Sequence, residues 1–316
     1  MYKRQGIVYK STGNWYDVHT DSEMIYKCNI KGKFRSLGIK STNPVAVGDH
    51  VCFEIINESE LQGIITKIEK RKNYIIRKSV NLSKQTHIIA SNIDYCFLFV
   101  TPSNPNTSTL FIDRVLLSTK SFGIDTIILF NKLDIYTKED SEYVDELFET
   151  YKKIGYQCLK ISVKKQINIE KVKSFMKNNI SVFTGHSGVG KTSLMNVLDS
   201  DLNLKTSEIS KQNEQGQHTT TFAEMFDLND GAKIIDSPGI KGFGLIDIDK
   251  NEIGGYFNEI ASLSSDCKFN NCLHFNEPNC AIKDAVENNQ ISKFRYNNYL
   301  SLLNNDEDNF RMNNYK

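Results

Sequence analysis

The chain has 316 residues, 39% hydrophobic and 24% charged, with 39 Lys and Arg against 38 Asp and Glu, long enough for two or three domains with a buried core. No run of about 18 apolar residues occurs and no charged-then-apolar leader opens the chain, which argues against a membrane span or secretory signal and predicts a cytoplasmic protein. Seven cysteines is an odd number, with three of them crowded between residues 267 and 280, a pattern of thiol and metal usage and not of a disulfide framework.

The near-neutral charge conceals an asymmetry. Residues 1–85 hold 15 Lys and Arg to 8 Asp and Glu, residues 86–244 hold 17 to 19, and residues 245–316 hold 7 to 11. Only the first part is built for a polyanion.

Residues 1–68 alternate short β-like runs with turns: Gly6–Tyr9, Trp15–Val18, Met24–Cys28, His50–Ile56 and Gly63–Ile68, with a turn signal at Gly48-Asp49. Five short strands without a helix predict a small barrel of the OB type. Tyr9, Trp15, Tyr16 and Tyr26 could stack on nucleic-acid bases or simply fill the barrel. Beyond it, Lys70, Arg71, Lys72, Arg77 and Lys78 cluster where they could neutralise phosphates; a solvated charge run is the alternative.

From residue 93 strands and helices alternate. Ile93–Val100, Thr126–Phe130, Cys158–Ile161 and Ile180–Thr184 read as strands, and Leu110–Lys120, Glu139–Ile154 and Thr192–Leu198 as helices. This rhythm predicts a mainly parallel sheet. Asn131, Ser162 and the loop after residue 184 all follow strands, so they would gather at the carboxyl edge where such sheets bind ligands.

That last loop, Gly185-His186-Ser187-Gly188-Val189-Gly190-Lys191-Thr192, matches G-x-x-x-x-G-K-[ST], whose backbone N–H groups and lysine answer the charge of a nucleotide tail. The expected nucleotide contacts run through Ser193, with Lys191 reaching the β- and γ-phosphates and the Thr192 hydroxyl holding Mg²⁺. Asn131-Lys132-Leu133-Asp134 fits guanine. Asp134 can accept from N1–H and the 2-amino group, Asn131 can bridge toward N7 or the neighbouring loop, and Lys132 can lay its stem on the base. Ser162 sits where a backbone amide could support O6. Downstream, Asp236-Ser237-Pro238-Gly239 offers a carboxylate to the metal through water and a Gly239 N–H to sense the γ-phosphate. Gly216-Gln217-His218-Thr219-Thr220-Thr221 offers a second threonine to Mg²⁺, Thr220 being favoured over Thr219. Ile240 stands where Ras-like GTPases place a water-orienting glutamine, which leaves His218, Thr221 or main chain for that task.

The guanine-reading tetrapeptide precedes the phosphate loop, inverting the order of ordinary GTPases and predicting a circular permutation. Near the C-terminus, Cys267-x(4)-Cys272-x-His274-x(5)-Cys280 supplies a closed tetrahedral set for one structural Zn²⁺, followed by a helical stretch from Ala281 to Leu303. The expected divisions are 1–70, 71–244 and 245–316.

Together these motifs, with Val47-Gly48-Asp49 in the barrel region, resemble the RsgA family of ribosome-small-subunit-dependent GTPases, also called the YjeQ or YloQ family, over nearly the whole chain. The resemblance implies an OB-fold N-terminal domain, a central permuted P-loop GTPase and a small helical zinc-binding domain. These would grip the 30S subunit during late maturation, bind 16S rRNA, and hydrolyse GTP to GDP and phosphate when the subunit stimulates them. A monomer is expected, and the acidic C-terminal part assigns most of the electrostatic grip to residues 1–85. Two rivals stay open: a metabolic nucleotidase or kinase, against which Asp134 argues, and a nucleotide-gated RNA-binding module with negligible turnover, which Ile240 would permit.

Overall fold

In the first unit, alternation along the strands separates inside from outside. Strands β1 (Lys3–Ser11), β2 (Tyr16–His19), β3 (Ile25–Ile30), β4 (His50–Asn57) and β5 (Gln62–Ile68) pair in the order β1-β2-β3-β5-β4, and β4 returns to β1. The result is a closed five-stranded barrel, in which closure removes the exposed edges. Val8, Tyr16, Val18, Tyr26, Cys28, Val51, Phe53 and Ile65 fill its interior. Tyr16 and Tyr26 are therefore core residues and unavailable for stacking on bases, Tyr9 is 6% exposed, and only Trp15 of the four aromatics, 44% exposed, faces solvent. The computed structural model describes residues 3–30, 44–78, 86–199, 223–236 and 248–304.

A hairpin absent from the predicted elements follows the barrel, β6 (Tyr74–Lys78) paired with β7 (Thr86–Ser91). It is fastened to the barrel through Asp49. This wholly buried carboxylate takes Arg71 Nε and Nη2 at 2.6 Å each, Ser91 Oγ at 2.7 Å and the Ala46 N–H at 2.8 Å. The same Arg71 Nη2 donates to the Pro44 carbonyl. Arg71 is thus committed to the fold, and Lys72 reaches Asp94 at 3.0 Å. This corrects the expectation that both belong to a free phosphate-binding cluster; the side chains of Arg77 and Lys78 lie outside the described residues.

The central sheet runs β10-β9-β8-β11-β13-β12, built from β8 (Tyr95–Val100), β9 (Asp125–Phe130), β10 (Gln157–Lys160), β11 (Ile180–Thr184), β12 (Glu224–Asp227) and β13 (Lys233–Asp236). All neighbours are parallel except the β12–β13 hairpin. Both faces are covered, which is why the strands read as unbroken apolar runs. On one face Leu98, Ile128, Val182 and Ile235 pack with helices α1 (Thr109–Ser121) and α2 (Lys138–Lys153). On the other, Phe97, Leu129, Phe183 and Ile234 pack with α3 (Ile169–Met176) and α4 (Lys191–Leu198). The start of α2 is set by a capping box, Thr137 and Asp140 each accepting the other's backbone N–H.

The sheet and barrel are continuous, because Lys10 of β1 pairs with Glu224 of β12. The C-terminal unit contains α5 (Lys250–Tyr256), α6 (Asn258–Leu263), α7 (Ala281–Glu287) and α8 (Lys293–Leu303). The single helix expected over 281–303 is broken where Asn289 turns to φ 57°, a conformation asparagine tolerates better than most residues. Leu117 of α1 joins the core of this unit. No helix among the described residues is long and apolar enough to cross a membrane.

Candidate nucleotide site and metal centre

Because β9, β10 and β11 are parallel members of one sheet, the loops that follow them open on one edge. Asn131, 2% exposed, is the tie between them. Its Nδ2 donates to the Val189 carbonyl of the phosphate loop at 2.8 Å, and its Oδ1 accepts from the Val163 N–H at 3.2 Å. The Tyr136 hydroxyl donates to the Asn131 carbonyl at 2.7 Å. Gly190, at φ 105°, passes directly over this amide, where a Cβ would collide with Asn131 Nδ2. Gly185, at φ 137°, lies so close to β8 that a Cβ would be 2.8 Å from the Phe99 carbonyl oxygen. Both positions therefore require glycine.

Asp134 opens a short 3₁₀ turn after Lys132, which is itself left-handed at φ 73°. The buried Ser162 hydroxyl donates to Asp134 Oδ1 at 2.6 Å and accepts from the Lys165 N–H at 3.1 Å. That hydrogen bond, aided by Lys164 and Lys165, holds the Asp134 carboxyl below its ordinary value. Ser162 thus acts here through its side chain, by fixing a carboxylate. Lys132 Nζ donates to the Asn104 carbonyl, and burial lowers its pKa against the pull of Asp134. Asn131, Lys132, Asp134, Gly188, Gly190 and Ser193 line one open cavity.

In the phosphate loop Lys191 Nζ donates to the Gly185 and His186 carbonyls at 2.7 and 2.6 Å, while Val189 is fully buried beneath it. Ser187 completes the turn, and Thr192 stands in the first turn of α4. His186 lies on Phe111 of α1, ring centroids 4.2 Å apart. Burial, Lys191 and Arg114 all lower its pKa, leaving a neutral imidazole. Asp236 ends β13, the strand beside β11, so its carboxylate and the Thr192 hydroxyl, hard oxygen donors suited to Mg²⁺, belong to adjacent strand ends. His218, Thr220 and the rest of the 216–221 loop, and Gly239 and Ile240, lie outside the described residues.

Cys267, Cys272, His274 and Cys280 bring their ligand atoms within 4.8 Å of one another. Cys267 Sγ lies 3.9 Å from Cys280 Sγ, and His274 Nδ1 lies 3.5 and 3.4 Å from those two sulfurs. Tetrahedral zinc with bonds of about 2.3 Å to sulfur and about 2.0 Å to nitrogen spaces its ligands at roughly 3.5–3.8 Å, so the cluster could hold one such ion. Burial keeps His274 neutral by lowering its pKa, and burial chiefly pushes the Cys272 thiol up to about 12. The loop is shaped from outside. Glu277 accepts the N–H groups of Leu273 and Phe275 at 2.8 Å each, and Tyr296 and Tyr299 of α8 donate to the His274 and Leu273 carbonyls at 2.6 and 2.7 Å.

Sequence reasoning missed the groups that brace these sites: Asn104 and Tyr136 beside the guanine tetrapeptide, the α8 tyrosines, and the buried Asp113–Arg295 pair between α1 and α8. Only the last had a local signal, an arginine set among aromatics in Phe294-Arg295-Tyr296.

Residues 68–246 match the RsgA GTPase family and residues 5–65 the RsgA N-terminal domain. The chain is 56% identical over 313 residues to the small ribosomal subunit biogenesis GTPase RsgA of Christiangramia forsetii, covering 99% of each chain. It is 55% identical over 309 residues to the protein of that name from Flavobacterium psychrophilum, covering 97% of this chain and 94% of the other. The crystal structure of YjeQ from Thermotoga maritima superposes with a TM-score of 0.80 at 31% identity, over 96% of this chain and 98% of that one. YloQ, a circularly permuted GTPase, superposes with a TM-score of 0.76 at 28% identity, over 98% and 96% of the two chains. With its closed barrel, permuted sheet and Cys₃His cluster, the chain belongs to the RsgA family of GTP-hydrolysing enzymes.

Proposed function

We propose that the protein acts in late maturation of the small ribosomal subunit, binding the 30S particle through 16S rRNA and hydrolysing GTP to GDP and phosphate there. The observation that carries this reading is the Asn131 tie between a guanine-reading loop and a phosphate loop of inverted chain order. The relatives are named for small ribosomal subunit biogenesis, which supports the choice of partner. In this reading residues 1–70 are the RNA-facing barrel, 71–244 the GTPase and 245–316 the zinc-binding unit, working as a cytoplasmic monomer.

Asp134, fixed by Ser162, accepts the guanine N1–H and 2-amino hydrogens, and Lys132 covers the base with its stem. The loop from Gly185 to Ser193 wraps the phosphates with backbone N–H groups, and Lys191 exchanges its two carbonyl partners for β- and γ-phosphate oxygens. Thr192, Thr220 and Asp236 would hold Mg²⁺, which when bound neutralises charge between the β- and γ-phosphates. The Gly239 N–H senses the γ-phosphate, and His218 or main chain orients the attacking water that Ile240 cannot. Cys267, Cys272, His274 and Cys280 would hold a structural Zn²⁺ whose binding also folds the loop around it.

The test is GTP turnover by the full chain with and without 30S subunits. Stimulation in kcat, each tenfold being about 1.4 kcal/mol, is the expected result. Equal turnover in both conditions would overturn subunit dependence, and a preference for ATP would return the metabolic-nucleotidase reading.

A further inference from the structure

Three side chains stand in one row across three strands. Lys10 of β1 pairs with Glu224 of β12, and Glu224 pairs with Asp236 of β13. Lys10 Nζ lies 3.0 Å from each Glu224 carboxylate oxygen. Residues directly opposite in an antiparallel pair share a face with Cβ atoms about 4.5–5.5 Å apart, and like charges so placed repel. The face is identifiable. Phe226 and Ile234, each two residues from Glu224 and Asp236, pack in the core that includes Leu194 and Met195 of α4, so the row lies on the side of the helix that begins with Lys191 and Thr192.

The preceding barrel residue grips the opposite face. The Tyr9 hydroxyl donates to Asp227 Oδ1 at 2.6 Å and accepts from Lys233 at 2.7 Å, and Lys233 also pairs with Asp227. His19 of β2 stacks on the Tyr9 ring, centroids 3.7 Å apart. Successive residues of one barrel strand therefore clasp the β12–β13 hairpin from both sides, and that hairpin ends in Asp236.

We propose that Lys10 is a positioning residue of the GTPase site: by neutralising Glu224 it sets the charge beside Asp236, and so the Mg²⁺ affinity of the bound nucleotide. The inference rests on Asp236 as the metal-facing carboxylate. Its consequence is that the metal at the nucleotide answers to how the barrel is seated. Withdrawing Lys10 leaves Glu224 as an uncompensated negative charge next to Asp236 and strengthens the attraction for a divalent cation; neutralising Glu224 leaves Lys10 in excess and weakens it.

The experiment reads the release rate of a fluorescent GDP analogue from the full chain as Mg²⁺ is titrated. Lys10→Met is expected to lower the half-saturating Mg²⁺ about three- to tenfold and Glu224→Gln to raise it by a similar factor. The double variant should return to within about twofold of wild type, with Lys10→Arg unshifted. A purely structural clasp moves both single variants in the same direction, which overturns the proposal, as does an unchanged midpoint in Lys10→Met. Lys27→Met, an exposed barrel change, controls for general charge. Asp236→Asn separates the two levels: if it leaves the Mg²⁺ response unaltered, the metal reading of Asp236 fails and this inference with it. If it weakens the response while Lys10→Met does nothing, only the inference fails.

Discussion

Asp113 on α1 and Arg295 on α8 form an ion pair with side-chain exposures of 0% and 2%, joining the GTPase sheet to the C-terminal unit. Tyr151 and Asn298 donate to the same carboxylate at 2.7 and 2.6 Å. Arg295 also donates from Nε to Glu259 at 2.7 Å and stands 4.4 Å from the Phe257 ring centroid. Burial raises the Asp113 carboxyl and the guanidinium opposes that shift; with three donors on its oxygens, the carboxylate is the form the geometry holds.

Breaking this pair from one side leaves an uncompensated buried charge. Arg295→Met should therefore lower unfolding free energy by about 3–5 kcal/mol, read by urea or thermal unfolding, and expose α8 to protease early. A loss below about 1 kcal/mol, the range of surface pairs, would show that the pair is not the joint.

Arg71 makes a parallel case in the barrel. Arg71→Met should destabilise by about 3–5 kcal/mol, because Asp49 is wholly buried. It should leave the salt dependence of 30S binding as it is, whereas exposed Lys70→Met should flatten that slope by roughly one counterion. The reverse outcome would return Arg71 to the phosphate footprint.

At the base pocket, Asp134→Asn should weaken GTP by about 1.5–3 kcal/mol and improve binding of xanthosine triphosphate. Ser162→Ala tests the support behind it. The Ser162 hydroxyl lowers the Asp134 pKa, so the ionised form, and guanine affinity with it, persists as pH falls until that lowered value is reached. Without the hydroxyl the acid limb should move to higher pH, with affinity at pH 7 changing less. An acid limb unmoved by Ser162→Ala would reject the coupling.

For the metal centre, Cys272→Ser should release zinc and make residues near 267–280 protease-sensitive, since binding and folding free energy are linked there. Nucleotide affinity should change far less. Retention of one zinc per chain together with a protease-resistant loop would contradict the ligand set.

The phosphate loop, the guanine tetrapeptide and the Cys₃His spacing were legible because their chemistry resides in residue identity at short spacing. The parallel strands were legible because burial on both faces leaves unbroken apolar runs such as Tyr95–Val100. Strand β12, Glu224–Asp227, was not: four residues carrying charge at both ends become a strand only through β13 and β1. Arg71 and Lys72 looked like surface charge because their partners, Asp49 and Asp94, lie 22 residues away along the chain. The aromatics of the barrel were ambiguous for the same reason, since alternation marks which residues share a side but not which side is inside.

Reversing the motif order changes what hangs from the nucleotide-sensing hairpin. Asp236 is followed, through residues 237–247, by α5 of the C-terminal unit, where an unpermuted chain would continue into the body of the sheet. The hairpin thus carries a unit on each side: the barrel held laterally by strand pairing, and the Cys₃His unit tethered by a short leash of main chain. Any displacement of that hairpin is felt at both ends of the molecule without crossing the core, so opening the ring at this point has turned an internal switch into the pivot of a three-part lever.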